Sequence, residues 1–325
     1  MAKIPETTGI KQGNSPRLRK TAVAFFLLLA IAVLYIHYLT APAIQKEDAP
    51  PPEETTAWNN VDDYLKEHTY PPDQGPFPLS VLSNLTANVQ GDFSLYLEDL
   101  NTEKWWGIKE TNSFNAWSLF KVPLLVAVLK KIELNQLSSK YVPIQIQKKV
   151  FTINSSSEIN GLSVKELAKR MIEASDDEAS IALGMIVPWG EFQASLKILG
   201  LPCASPSEPA NTIPKVSPKE YANLLRNLYF SNYMKPPFSS LALSLMSATV
   251  YNRWIEAGVP SRVRVAHKVG FNDASGEFHD CGIIYLKNRP YILCIMSKNS
   301  NLQEFRRISS AVSSQIYEFM KQNSG

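Results

Sequence analysis

Ser118-Leu-Phe-Lys-Val-Pro-Leu-Leu-Val-Ala-Val-Leu129 sets a hydroxyl and an amine three residues apart at the head of a long apolar run. On a helix, residues three apart lie on one face, about one turn from each other. An amine so placed takes the proton from a hydroxyl and turns a weak nucleophile into an acylating one. Pro123 lacks a backbone N–H, which is best tolerated near a helix start, so the helix is predicted to begin close to Ser118. A hydroxyl there sits among free N–H groups and the positive end of the helix dipole, both favourable to a developing anion. Lys121 is the proton acceptor of this reading, in the uncharged form that burial or nearby cations favour. By itself the tetrad is a common pattern, and an exposed serine beside a solvated lysine is its blander reading.

Two later stretches follow in order. Ser175-Asp-Asp177 lies at the junction of two helical patterns. A serine hydroxyl there relays a proton to a leaving amine, and Asp177 either holds Lys121 or faces the substrate. The alternative is an ordinary helix N-cap, since Ser and Asp are both preferred caps. Lys268-Val-Gly270 closes a predicted strand. Lys268 offers a positive charge suited to a substrate carboxylate, and Gly270 lets a substrate backbone approach closely. The N–H of Phe271, with that of Ser118, forms a candidate oxyanion hole. A surface lysine at a strand end is the plainer alternative. His267 and His279 lie in predicted strands and read as structural, and no Cys/His spacing points to a metal.

Outward from these motifs the chain reads as follows. Phe93, Leu95 and Leu97 alternate with Ser94, Tyr96 and Glu98, the period of a half-buried strand. A helix over 78–89 precedes it, and Trp105–Ile108 forms the next strand. Ser163-x-x-Glu166 and Ser217-Pro-Lys-Glu220 are capping boxes, so helical patterns fill most of 163–199 and 217–250. Strands are predicted from Val263 to Lys268, Phe278 to Leu286 and Tyr291 to Met296, with a turn at Asn288-Arg-Pro290 and a helix over 301–321. Strands at both ends of a helical middle give an α/β (α+β) fold, one antiparallel sheet flanked by helices with an all-helical insert. The insert makes a cleft against the sheet.

The bulk properties set limits. Of 325 residues, 45% are hydrophobic and 19% charged, and the net charge is +3. Residues 1–20 hold Lys3, Lys11, Arg17, Arg19 and Lys20 against Glu6 alone, leaving a near-neutral body. That excludes a nucleic-acid surface, which needs a basic face. Ala22 to Leu39 contains no Asp, Glu, Lys or Arg, and eighteen helical residues reach roughly 27 Å against a hydrocarbon layer of about 30 Å. We read 1–20 as a cytoplasmic tail, 21–40 as a transmembrane signal anchor, 41–74 as a Pro/acidic linker with a short helix after Asn60, and 75–325 as the folded domain. The domain then lies on the extracytoplasmic side of the cell membrane. A cleaved signal peptide ending near Ala41-Pro-Ala43 is the alternative, and the length of the apolar run favours the anchor. Cys281 and Cys294 fall in consecutive strands and are within reach of each other, but free buried thiols are the favoured reading.

Phe114-Asn-Ala-Trp-Ser-Leu-Phe-Lys-Val-Pro, Met171-Ile-Glu-Ala-Ser-Asp-Asp and Val265-Ala-His-Lys-Val-Gly together resemble the class A β-lactamase family, within the wider group of penicillin-recognising serine acyltransferases. The resemblance covers roughly 75–325. It implies an α/β/α sandwich with a helical lobe and the site between them. It also implies Ser118 as nucleophile, Lys121 as base and Ser175 as proton shuttle. Lys268 and Gly270 would steady a substrate carboxylate, and no metal or organic cofactor is required. The substrate implied is a β-lactam or a peptidoglycan stem peptide. A D-Ala-D-Ala carboxypeptidase or transpeptidase relative and a non-catalytic envelope binding module are the rival readings.

Two residues of the motifs depart from the family. Asp177 stands where the family has Asn, so it accepts hydrogen bonds but cannot donate, and it favours a charged Lys121. Val269 stands where the family has Thr, which removes one substrate hydrogen bond worth about 1 kcal/mol. The family's deacylating Glu, with Asn four residues later, has no match: Glu191, Glu208 and Glu220 are placed for it, but the last two have Asn three residues on. Segment 201–216 reads as a short substitute for that loop, so turnover of an acyl-enzyme is expected to be slow.

Overall fold

The computed structural model describes residues 91–141, 159, 161–203 and 214–322. The tail, the apolar segment 21–40, the linker to 74, the helix over 78–89 and Glu208 lie outside them. No helix among the described residues is long and apolar enough to cross a membrane.

Five antiparallel strands form the main sheet in the order β2-β1-β7-β6-β5. They are β1 (Asp92–Asp99), β2 (Trp105–Ile108), β5 (Val265–Asn272), β6 (Glu277–Ile284) and β7 (Tyr291–Lys298). A two-stranded ribbon joins β3 (Phe114–Asn115) to β4 (Lys215–Val216). The helices are α1 (Lys121–Glu133), α2 (Val164–Glu173), α3 (Asp177–Gly184), α4 (Trp189–Ile198), α5 (Pro218–Tyr229), α6 (Pro236–Ser247) and α7 (Leu302–Gln322). Both capping boxes are realised, with Ser163 and Ser217 each accepting from the backbone N–H three residues on and each glutamate reaching back.

Strand alternation sorts the sheet into two faces. Leu95, Leu97, Val265, Val269, Leu293 and Ile295 pack on the Phe305–Ile308–Val312–Ile316–Met320 stripe of α7. Tyr96, Ala266, Cys281, Ile283, Ile292 and Cys294 join the larger cluster that contains α1, the helix through its middle. β1 is therefore covered on both faces, not half-solvated as its alternation suggested. Its polar residue Glu98 is buried against α5, where Arg226 Nε donates to Oε1 at 2.6 Å and the Tyr96 hydroxyl to Oε2 at 3.0 Å. A buried carboxylate is tolerated because it is paired and hydrogen-bonded.

Two further expectations change. Lys268-Val-Gly270 lies in the middle of β5, not at its end, because pairing with β6 continues to Asn272↔Glu277. Cys281 and Cys294 form a disulfide instead of staying free. The β6–β7 register pairs Ile284 with Tyr291, which sets the two cysteines directly opposite with Cα atoms 4.0 Å apart. Closing a loop of this length is worth about 3 kcal/mol. The double change Cys281→Ala/Cys294→Ala is expected to lower stability by roughly that amount in urea unfolding, with the far-UV circular dichroism of the folded state retained.

Candidate active site

Ser118 lies in a 3-10 turn, Trp117–Phe120, that runs directly into α1. Trp117 takes a left-handed backbone (φ 47°), a conformation that costs a non-glycine residue of order 1–3 kcal/mol. The surroundings hold it there. Its indole N–H donates to Glu277 Oε2 at 2.8 Å, and Asn115 Nδ2 and Ser275 Oγ donate to the same carboxylate at 2.9 and 3.0 Å. Burial alone would raise the Glu277 pKa, but these bonds bring it below the usual carboxylate value. The ring of His279 packs edge-on to Phe114, and its Nε2 lies 3.0 Å from the Asn115 carbonyl. Burial pushes that imidazole down to about 4, so it is neutral with the proton on Nε2.

Gly270 brings β5 against this turn. A Cβ at that position would meet Ala116 O at 2.7 Å and Leu119 N at 3.0 Å. The strand can lie this close to the nucleophile turn only without a side chain.

Ser175 also has a left-handed backbone (φ 58°), at the junction of α2 and α3. Asp176 is the N-cap of α3, accepting from Ala179 N at 3.0 Å, while Arg170 Nε donates to its other oxygen at 2.9 Å. The cap alternative thus holds for the middle residue, and it turns Ser175 and Asp177 toward α1.

Lys121 Nζ is the hub. It lies 3.0 Å from Ser118 Oγ, 3.2 Å from Ser175 Oγ, and 2.5 Å from both the Ser175 carbonyl and Asp177 Oδ1. Four oxygens surround a group with at most three N–H bonds, so one hydroxyl is placed to donate when the amine is neutral. Lys268 Nζ lies 2.9 Å from Ser175 Oγ and 3.1 Å from the Val269 carbonyl. Burial, and then the charge of Lys121, push Lys268 down to about 7.

A cavity of about 660 Å³ opens beside Ser118, Lys121 and Asp177, with Phe271 and Asn272 on its β5 side. Ser118, Lys121, Ser175, Asp177, Lys268 and Gly270 are thus gathered at one place. Val269 is not: strand alternation turns its side chain into the core against α7. Lys268 is fully buried and reaches the site through Ser175, not as a surface cation. His267 is buried away from the cavity. Desolvation opposes its charge, but Asp280 at 2.8 Å, with Glu256, lifts its pKa to about 9, which makes it a structural imidazolium. Of the deacylation candidates, Glu191 pairs with Lys131 and Glu220 is spent in its capping box. Sequence reasoning missed Glu277, Asn115 and Trp117, which position the nucleophile. Glu277 is 160 residues from Trp117, and no local pattern links them.

A serine–lysine pair bridged by a second serine to a second lysine, in a cleft between sheet and helical lobe, defines a serine acyl-transfer site. The sequence belongs to the beta-lactamase enzyme family, whose profile matches residues 80–320. Membership in that family makes it a serine hydrolase. Its fold is similar to that of a beta lactamase from Xanthomonas campestris (19% identity, 74% of this chain and 96% of that one, TM-score 0.64). PBP-A shares it at 21% identity, covering 78% of this chain and 100% of its own, with TM-score 0.64. So does a beta-lactamase from Sphaerobacter thermophilus (17%, 75% and 97%, TM-score 0.66). No curated protein matches the chain.

Replacing Gly270 with Ala is expected to displace the nucleophile turn and lower the acylation rate by roughly 100-fold or more, while the melting temperature moves by only a few degrees. Stopped-flow acylation and thermal unfolding measure the two effects separately.

Proposed function

We propose that Ser118 attacks the carbonyl of a β-lactam, or of a related peptidoglycan-type amide, and carries the acyl group as an ester. The observation that carries this reading is an unbroken chain of contacts, Ser118 Oγ–Lys121 Nζ–Ser175 Oγ–Lys268 Nζ, at 3.0, 3.2 and 2.9 Å. As an ammonium in contact with Asp177 Oδ1 at 2.5 Å, Lys121 is no base. The lowered pKa of Lys268 supplies what is missing. Above about pH 7 Lys268 is a neutral amine. Ser175 passes its proton to Lys268 and takes one from Lys121, which leaves the neutral amine beside Ser118. Lys121 then accepts the Ser118 proton as the O–C bond forms. The same proton goes by way of Ser175 to the nitrogen as the C–N bond breaks. The N–H groups of Ser118 and Phe271 receive the oxyanion.

Release of the acyl group is the weak step. Among the described residues Asp177 is the only carboxylate that lines the cavity, and its Oδ1 is held by Lys121. The sequence has no glutamate with asparagine four residues later, and on that ground a long-lived adduct is expected. Comparing release of terminal D-Ala with opening of a chromogenic cephalosporin separates peptide from β-lactam substrates.

The buried disulfide supports an oxidising compartment outside the cytoplasm. With the basic residues 1–20 and the uncharged run 22–39, this favours a single-pass anchor in the lipid bilayer, with the catalytic domain on the extracytoplasmic side.

Incubation with a penicillin is expected to add one penicillin mass to the intact protein, persisting for many minutes. Equal labelling of Ser118→Ala overturns the mechanism. The acylation rate should rise with pH through about 7, because the deprotonated Lys268 is the active form. Lys268→Arg, charged at every pH, should lose acylation throughout. If Lys268 served only to bind a carboxylate, Arg would preserve activity and the pH dependence would vanish without a loss of rate.

A further inference from the structure

The cavity has two unlike ends. Ser118, Lys121 and Asp177 form one. Away from them it is walled by Phe120 and Leu124 of the nucleophile helix region, Ile181 of α3, Val187, and Trp189 and Phe192 of α4. The aromatic rings are packed together: Phe120 and Phe192 meet edge-on at 5.4 Å, and Trp189 lies 5.8 Å from Phe192. Trp189 stands exposed at the rim, whereas Val187 and Phe192 are buried. Beyond Lys121 and Asp177 the described lining carries no charged side chain, and the Ser180 hydroxyl already donates to the Asp177 carbonyl at 2.7 Å.

Gly184, the last residue of α3, also lines this compartment, and a Cβ there would meet nothing within 4 Å. Its φ lies outside the left-handed range, so a side chain at this position points into open space without backbone strain.

We infer that this compartment receives the apolar part of the acyl group that Ser118 takes on. Among the amides that acylate Ser118, those whose acyl group carries an aryl or straight-chain apolar portion are then favoured, and simple esters of such acids serve as probes. The inference rests on the acyl-transfer reading of Ser118. The physical ground is continuity: Phe120 and Leu124 flank Lys121 on one helix surface, so an acyl carbon on Ser118 Oγ has apolar walls leading directly away from it. Against the described walls a polar acyl chain would lose water and, beyond Lys121 and Asp177, meet no charged side chain. An apolar chain gains by leaving water.

The test compares p-nitrophenyl acetate with p-nitrophenyl octanoate by burst kinetics, on the wild-type protein and on Gly184→Leu. In each reaction the Ser118 Oγ–acyl bond forms and the ester C–O bond breaks. Nitrophenolate leaves with the electron pair, and the serine proton passes to Lys121. The expected result is a second-order rate roughly tenfold or more higher for octanoate, with the octanoate-to-acetate ratio falling toward unity in Gly184→Leu. Equal rates in the wild type, or a preference that survives Gly184→Leu, overturn the inference while leaving acylation of Ser118 intact. If neither ester labels Ser118, the acyl-transfer reading is what fails. Octanamide binding, followed by tryptophan fluorescence, then decides the compartment: saturable quenching lost in Gly184→Leu supports it, and no quenching overturns it.

Discussion

One nearly buried amine ties the active site together. Lys121 Nζ contacts Ser118 on its own helix region, both the hydroxyl and the carbonyl of Ser175, and the carboxylate of Asp177. These partners come from segments more than fifty residues apart. An ammonium taken out of water is costly unless its protons find acceptors. Lys121 therefore draws the α2–α3 junction onto the head of α1 and closes the helical lobe against the nucleophile. A second lysine reaches the same junction from β5 through Ser175 Oγ. Two amines so close cannot both hold their charge comfortably, and the more deeply buried one yields.

The two serines whose hydroxyls meet Lys121 are both held by strained backbone. Trp117, just before Ser118, and Ser175 itself adopt left-handed conformations without being glycine. Each is held by a carboxylate nearby: Glu277 takes the Trp117 indole, and Asp176 caps α3 while binding Arg170. Such strain persists where surrounding contacts over-determine it. Here it aims two hydroxyls at one amine. The catalytic spacing is thus a property of the turn geometry as much as of the residue types.

Much of this was legible along the chain. The two capping boxes marked helix starts correctly because N-cap chemistry is local, set within four residues. The alternating stretch Phe93–Glu98 emerged inside β1, because side chains of a strand point to opposite faces in turn. What alternation concealed was the cover on the other face of β1, since Arg226 sits 128 residues from Glu98. The extent of β5 was also hidden, because pairing with β6 carries it past Lys268 to Asn272. The cysteine pair turned on register, which depends on where the Asn288 turn falls and not on the residue types.

The order Ser118–Lys121, Ser175–Asp177, Lys268–Gly270 lies in the chain itself, and with it the chemical class of the site, because hydroxyl and amine are residue identities. Which lysine yields its proton, which of Lys268, Val269 and Gly270 faces the cleft, and what shape the cavity takes were decided only on folding. Burial and charge proximity set the first, strand alternation the second, and the packing of α3 and α4 beside the nucleophile helix the third. Each depends on distances between segments that are remote in sequence, which no local pattern encodes.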